Sequence, residues 1–424
     1  MVTGNWSFPP TPPTPPPPPT PPTLPTPPDC PIPTAQYLLP TAHCLLPKKL
    51  ITEMTRIAII GCGIVGATIA YELSAIAYLE ITLIDAKTPA TGSTGAALGV
   101  LMGAISHKTK GRNWRLRRDS LERYETLIPE LEAITGEKIL YNRQGLVMLR
   151  FEEDDLSRWQ KLQTKRENQG WPLELWSREQ LRDRLPHIQD NRIVGAVYSP
   201  RDRQVHPQQL THSLIAAAQK RGVTCQFNTP ILDTDATPPD GDNLRHCTHL
   251  KTPESAIAAD FVIVTAGIGS TPLTSALEQT VDIRPVLGQA LHVRLNPEHN
   301  SPDFNPVVTG NDVHIVPLGN GEYWIGATVE FADESGYLEA EASLLETVKQ
   351  QAFRYYPDLA NAEILRTWSG LRPRPEGRPA PIIEDLPGYH NVILATGHYR
   401  NGVFLATATA LGVRDLLQEK LSQS

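Results

Sequence analysis

Cysteine is scarce in this chain, and the shortage narrows its chemistry at once. Five cysteines in 424 residues, Cys30, Cys44, Cys62, Cys225 and Cys247, are odd in number and not at metal-ligand spacing. Neither a disulfide framework nor a zinc site is therefore expected, and a reducing, cytoplasmic setting fits best. Long apolar runs are missing too. No uninterrupted stretch reaches the eighteen or so residues of a membrane span. The N-terminus also lacks the charged and apolar regions of a secretory signal. Basic excess is absent: 39 Lys and Arg stand against 46 Asp and Glu, for a net charge of -7. That balance argues against nucleic acid as a partner, which needs a surface able to neutralise phosphates. What remains, 40% apolar and 20% charged residues over this length, suits a globular protein of two domains.

Proline is abundant but unevenly placed. Eighteen of the forty prolines precede Lys48, in tracts such as "PPTPPTPPPPPTPPTLPTPP". Missing amide donors and a fixed φ favour extended polyproline II there, not a core. Residues 1–54 are read as a disordered tail; a ligand for proline-recognising domains is the other reading of such a composition. Met54 is a third consideration, because "MTRIAII" would start the first strand two residues after an initiator.

The first folded stretch is "RIAIIGCGIVGATIAYEL", Arg56 to Leu73. "RIAII" has the continuous apolar character of a buried parallel strand, and "IVGATIAYEL" has helical spacing. Gly61, Gly63 and Gly66 lie between and within them at G-x-G-x-x-G spacing, as a dinucleotide-binding turn requires. Gly61 would allow the tight turn, Gly63 the approach of a pyrophosphate and Gly66 close helix packing. The helix start at Ile64 and Val65 would present free amides to the anion. A second strand, "ITLID", ends at Asp85, nineteen residues after Gly66, where an acid accepts ribose hydroxyls.

The motif alone does not separate NAD from FAD. Small and hydroxyl residues recur at Gly92, Ser93, Thr94 and Gly95, a patch too bare for ordinary helix or strand. "ADFVIVTAGIGS" supplies a further strand, Phe261 to Val264, running into Ala266 and Gly267. "NVILATGHYRNGVFLATATALGV" repeats the scheme with Gly397 and Gly402. The chain thus returns to one nucleotide site several times.

Taken in order, "GCGIVGATIAYEL", "GSTGAALG", "ADFVIVTAGIGS", "IRPVLGQALHV", "HIVPLGNGEYWIGATVE", "WSGLRPRPEGRPAPII" and "ATGHYRNGVFLATATALGV" resemble the D-amino-acid oxidase superfamily of FAD enzymes, and within it the glycine oxidases. The resemblance covers essentially everything from Arg56 onward. It implies an α/β Rossmann-type FAD-binding domain with an interleaved α+β substrate domain containing a large antiparallel sheet. The expected partition is 55–107, 197–277 and 362–424 for the FAD-binding part, with 108–196 and 278–361 for the substrate part. Helical spacing in "WRLRRDSLERYETLIPELEAI" and "SLLETVKQQAFRYY", a Ser177–Gln180 capping box and a strand-like "VDIRPVLGQALHVRL" agree.

The resemblance also implies the chemistry. FAD would accept a hydride from the substrate Cα, so the protein must chiefly orient an amine-bearing acid and exclude water. The family's carboxylate-anchoring arginine falls on Arg372; a structural ion pair is the competing reading. Arg400 in "GHYRNG" falls where the family meets both flavin and substrate, against a plain surface arginine. His314 stands where glycine oxidases carry a substrate-bonding tyrosine, and a core histidine with a satisfied ring is the other reading. The expected cofactor-binding set is Gly61, Gly63, Ile64, Val65, Gly66, Asp85, Ser93, Thr94, Gly95, Ile231, Ala266, Gly267, Gly397, Arg400, Asn401 and Gly402. Relatives with covalent flavin attach it through a late cysteine or a histidine after the serine-threonine turn. No cysteine follows Cys247 and Gly95 follows Thr94, so non-covalent FAD is expected.

Oxidative deamination of glycine, a D-amino acid or a small secondary amine follows, with oxygen as acceptor. Other readings stay open: a dehydrogenase passing electrons to a quinone or protein, a tRNA-uridine-modifying oxidase, a non-catalytic flavin module and, weakest, an NAD-dependent dehydrogenase. A homo-oligomer is compatible with all of them.

Overall fold

The computed structural model describes residues 54–239, 241–296 and 303–423. The proline-rich tail lies outside the described residues apart from Met54.

Arg56 to Leu73 folds as its composition requires. Thr55–Ile60 is a strand whose last four residues are buried, and Ile64–Leu73 is a helix with all but Glu72 buried. An apolar strand buried on both faces needs layers on each side, so it sits centrally in a parallel sheet. Among the described residues that sheet has six strands in the order Ile382–Asp385, Val392–Thr396, Phe261–Val264, Thr55–Ile60, Leu79–Ile84 and Thr224–Gln226. All its neighbours pair in parallel except the Ile382–Asp385 edge. The helices Ile64–Leu73, Pro207–Lys220, Gly111–Thr135 and Gly402–Gln423 pack on one another beside it.

Among the described residues the second sheet has eight strands, ordered Glu363–Pro375, Ile283–Arg294, Glu322–Gly326, Val313–Gly319, Val307–Gly310, Leu146–Arg150, Gly195–Ser199 and Glu174–Ser177. Its pairs are antiparallel apart from Val307–Gly310 with Leu146–Arg150. This is the mixed α/β architecture with a large antiparallel sheet that the sequence implied. The Glu363–Pro375 strand, inside the 362–424 segment, joins the eight-stranded sheet. Gly111–Thr135, inside 108–196, packs instead with the helices of the six-stranded sheet.

The two faces of the large sheet bury different cores. Ala290, Val307, Val316 and Trp324 join the core shared with the six-stranded sheet and its helices. Their neighbours Leu291, Val308, Ile315 and Ile325 join a separate core with Tyr355 and Leu359. This alternation is the period of two of a pleated strand.

Local signals held in detail. Ser177 accepts from Gln180 N at 3.2 Å while Gln180 Oε1 accepts from Ser177 N at 2.9 Å, completing the capping box. One local expectation is corrected: the patch read as too bare for a helix forms a single helical turn, Ser93–Ala96. Its hydroxyls and small side chains are taken up by tertiary contacts that local composition does not register.

Candidate functional site

The glycine turn is braced from three directions. Cys62 N donates to Asp85 Oδ2 at 2.6 Å, Ile64 N donates to Thr94 Oγ1 at 3.0 Å, and Thr265 Oγ1 donates to the carbonyls of Ile60 and Gly61 at 2.9 Å each. Gly61 has φ +116°, and a methyl there would lie 2.8 Å from Thr265; a methyl on Gly66 would lie 1.9 Å from Gly61 O. Only bare backbone fits. The Ile64 amide, expected to be free, is corrected to one taken by Thr94, because tertiary packing brings that hydroxyl to the helix start; the N-cap Gly63 offers no side chain, so the amides of Val65 and Gly66 stay at a positive helix end suited to a phosphate. These residues fit the pyrophosphate of a dinucleotide.

Asp85 has two jobs in this geometry. Besides Cys62 N, it accepts Lys87 N through Oδ1 at 2.8 Å. Each carboxylate oxygen retains a lone pair for a ribose hydroxyl. Thr229 N donates to Asp85 O at 2.8 Å, which ties the segment before Ile231 to the same strand end. Ile231 itself packs against the apolar cluster around Ala58 and Val262.

The strand Glu363–Pro375 is where the nucleotide-side turns meet the large sheet. Trp368 Nε1 donates to Ala96 O at 3.1 Å, and a methyl on Gly370 would fall 2.1 Å from Ala96 Cβ. Ser93 Oγ donates to Leu371 O at 2.5 Å. Gly267, at φ +58°, faces Pro373, and a methyl on Gly397, at φ +66°, would lie 3.3 Å from Pro375. Three turns that are far apart in sequence therefore line one strand within eight residues, and Arg372 lies among their contacts. Gly95 sits tight on Ala90 O, and Asn401 N donates to His398 O at 3.0 Å in the Tyr399–Asn401 turn that leads to Gly402.

Arg372 makes one hydrogen bond, Nη1 to Leu287 O at 3.0 Å. Among the described residues no carboxylate pairs with it, so the rest of its guanidinium fork has no partner there. Burial, then Arg400, pulls its pKa below the ordinary arginine value. Tyr399 and Glu330 offset this only in part; a half-buried cation with no ion pair among the described residues is costly, and a bound carboxylate would relieve that cost bidentately. His314 is comparable. Burial first, then Arg400 and Arg372, push its pKa down to about 4, and its Nδ1 is buried without a hydrogen-bond partner. Arg400 is the most open of the three: Nη2 reaches Asp312 Oδ1 at 3.2 Å, with side chains 37% and 77% exposed. Such a pair is worth about 0 to 1 kcal/mol and yields readily to another anion.

Several contributors were not singled out from sequence. Thr265 locks the glycine turn. Gly288 makes room for the Arg372 guanidinium, Gly326 pairs with His314 and lets Ala290 and Leu98 approach, and Gly370 lets Ala96 approach. A glycine inside a strand signals a close approach, but what approaches is invisible without the register. Asp202, fully buried, accepts the amides of Gly103, Ala104 and Ile105 at 2.6, 2.8 and 2.9 Å, while buried Arg166 holds the carbonyls of Ala104, Ser106 and Lys108. Together they shape the segment after Val100–Leu101, and nothing local marks either residue.

A Rossmann-type sheet with a bare glycine turn, set against a large antiparallel sheet bearing an arginine without an acid partner among the described residues, defines a dinucleotide-dependent oxidoreductase. Residues 56–416 match the model of the DAO family, FAD dependent oxidoreductase, and the chain belongs to that family. It is 27% identical to the glycine oxidase of Geobacillus kaustophilus over 87% of this chain and 94% of the relative. It is 28% identical to the glycine oxidase of Bacillus subtilis over 85% and 92%. The crystal structure of the Geobacillus kaustophilus enzyme superposes with a TM-score of 0.75 at 26% identity, covering 86% of this chain and 95% of that one. The protein is an FAD-dependent oxidoreductase acting on amine donors.

Among the described residues no helix is long and apolar enough to cross a membrane, and no His, Cys, Asp and Glu group is suited to a metal ion.

Proposed function

We propose that the protein oxidatively deaminates glycine, a D-amino acid or a small secondary amine, releasing an imine and passing electrons to oxygen. Non-covalently bound FAD supplies the hydride acceptor at its N5. The observation that carries the reading is Arg372: a half-buried guanidinium without an acid partner among the described residues, on the strand where the turns at Ser93, Gly267 and Gly397 converge.

In this reading Arg372 holds the substrate carboxylate and so fixes where the Cα hydrogen points. His314, neutral at physiological pH, offers its free Nδ1 to the substrate's polar end. Arg400 adds positive field from the rim, and the Tyr399–Asn401 turn with Gly397 and Gly402 would help hold the flavin. The six-stranded sheet and its helices would hold FAD through Gly61, Gly63, Ile64, Val65, Gly66, Asp85, Ser93, Thr94, Gly95, Ile231, Ala266 and Gly267. The large sheet supplies the substrate side. A base is not needed if the amine binds neutral. The relatives named glycine oxidase support glycine as the first substrate to try.

The test is anaerobic. Purified protein is mixed with glycine, sarcosine and a panel of D-amino acids while flavin absorbance is followed, and peroxide is then measured in air. Bleaching by one of these with peroxide formed is expected. No bleaching across the panel would overturn the assignment.

A further inference from the structure

The row of side chains beside Arg372 points to a specificity element. Across the antiparallel ladder Arg372 pairs with Val286, and Leu371 pairs with Leu287. On its other side Leu287 forms an isolated antiparallel bridge with Glu330: Leu287 N donates to Glu330 O and Glu330 N to Leu287 O, each at 2.9 Å. Directly opposed residues share a face and successive residues alternate. Leu371, Leu287 and Glu330 therefore lie on one face, and Arg372, Val286 and Phe331 lie in a row on the other.

Phe331 is an exposed phenylalanine, 57% accessible, with the Arg374 guanidinium 5.5 Å from its ring centre. Single exposed apolar side chains are ordinary on protein surfaces. This one is held in place. The buried carboxylate of Glu330, its neighbour, accepts Gln289 Nε2 at 3.0 Å, Glu341 N at 2.8 Å and the Thr328 hydroxyl, and Gln289 Nε2 also reaches Glu341 O at 2.8 Å. Both ends of the 331–340 segment are thereby stitched to the Ile283–Arg294 strand, which fixes the ring beside Arg374. The helical turn Ser93–Ala96 bounds the same face at Gly370. The ladder register thus sets Arg372, whose guanidinium lies on Gly288, between the cofactor-side turn at Gly370 and Phe331 across Val286.

We propose that Phe331 is a substrate-contacting specificity residue: with the carboxylate on Arg372, an apolar arm of the amino acid packs against the Phe331 ring, so the site favours amines bearing such an arm over glycine. This rests on Arg372 as the carboxylate anchor. Val286 backs the wall from the floor of the row. The stitched segment explains why an exposed aromatic can act as a wall: its ordering is already provided by Glu330 and Gln289.

The test uses flavin-loaded protein and carboxylates that carry no amine. Acetate, 3-methylbutanoate and phenylacetate are titrated by calorimetry into wild type, Phe331→Ala, Phe331→Leu and Arg372→Ala, with thermal midpoints as the check on folding. Phenylacetate is expected to bind the wild type about tenfold or more tighter than acetate. That increment should vanish in Phe331→Ala and largely persist in Phe331→Leu. In turnover, the ratio of kcat/KM for an apolar amino acid to that for glycine should fall by a similar factor in Phe331→Ala. An increment that is absent from the wild type, or intact in Phe331→Ala, overturns the proposal. If no amine reduces the flavin but the increment is lost in Phe331→Ala, the oxidase reading fails while the role of Phe331 stands. Carboxylate binding undiminished in Arg372→Ala removes the anchor and overturns both.

Discussion

The guanidinium of Arg372 lies directly on Gly288: a methyl placed on that glycine would come within 2.3 Å of both terminal nitrogens. The strand interior is bare there so that the arginine can lie along the sheet. Because the obstructed atoms are the far end of a flexible side chain, Gly288→Ala should fold and displace the guanidinium instead. A shift of about 1 Å at such a group costs on the order of 100-fold in kcat/KM. Steady-state kinetics with an unchanged flavin spectrum would show this; wild-type kinetics in Gly288→Ala would contradict the packing.

Arg372→Ala leaves a bound carboxylate without its partner, and Arg372→Lys keeps the charge without the planar fork. Losing the partner of a buried charge typically costs about 3 to 5 kcal/mol, or roughly a hundred-fold to a few thousand-fold in affinity. The alanine variant should lose substrate affinity on that scale and retain FAD, with lysine intermediate. Kd for a non-reacting carboxylate, measured beside the flavin-to-protein absorbance ratio, separates the two effects.

Among the turn glycines the tolerances differ. A methyl on Gly66 would meet the Gly61 carbonyl at 1.9 Å, a backbone atom that cannot yield locally, whereas one on Gly63 would meet only Thr94 Oγ1 at 3.2 Å. Gly66→Ala is expected to emerge colourless or with a lowered Tm. Gly63→Ala should keep more flavin. Comparable flavin content in the two variants would refute the ranking.

His314 carries a pH signature. Its pKa is pushed from the ordinary 6.5 to about 4, first by burial and then by Arg400, with Asp312 pulling it up and Arg372 adding the smallest downward push. Between those values the unfolded chain binds a proton that the native ring refuses, so stability is full above 6.5 and falls as pH drops toward 4. His187, at about 4, and His398, at about 3, act in the same direction. Replacing His314 with tyrosine should flatten, without abolishing, the fall in the urea midpoint between pH 6.5 and 4. An unaltered slope would mean that the ring is not held neutral.

How much of this was readable beforehand depends on the range of the interaction involved. The strand and helix around Gly61, the strand into Ala266, the Ser177 capping box and the late turn at Gly397 are encoded by residues close in sequence, whose periodicity and spacing suffice. The family pattern carried the reading further, to Arg372, Arg400 and His314 as positions of interest. The chain by itself thus determined the class of fold, the nucleotide turn and the residue types available for chemistry.

Tertiary structure decided what those residues face. That Arg372 lacks an acid among the described residues, that Arg400 leans on Asp312 and that the His314 ring has an open nitrogen depend on contacts between segments tens to hundreds of residues apart. Phe331 and Gly288 are clearer still. Each looks unremarkable in its own segment and acquires meaning only through strand register, because a shift of one residue in the pairing of Leu287 with Glu330 and Leu371 would turn every side chain in that row to the opposite face.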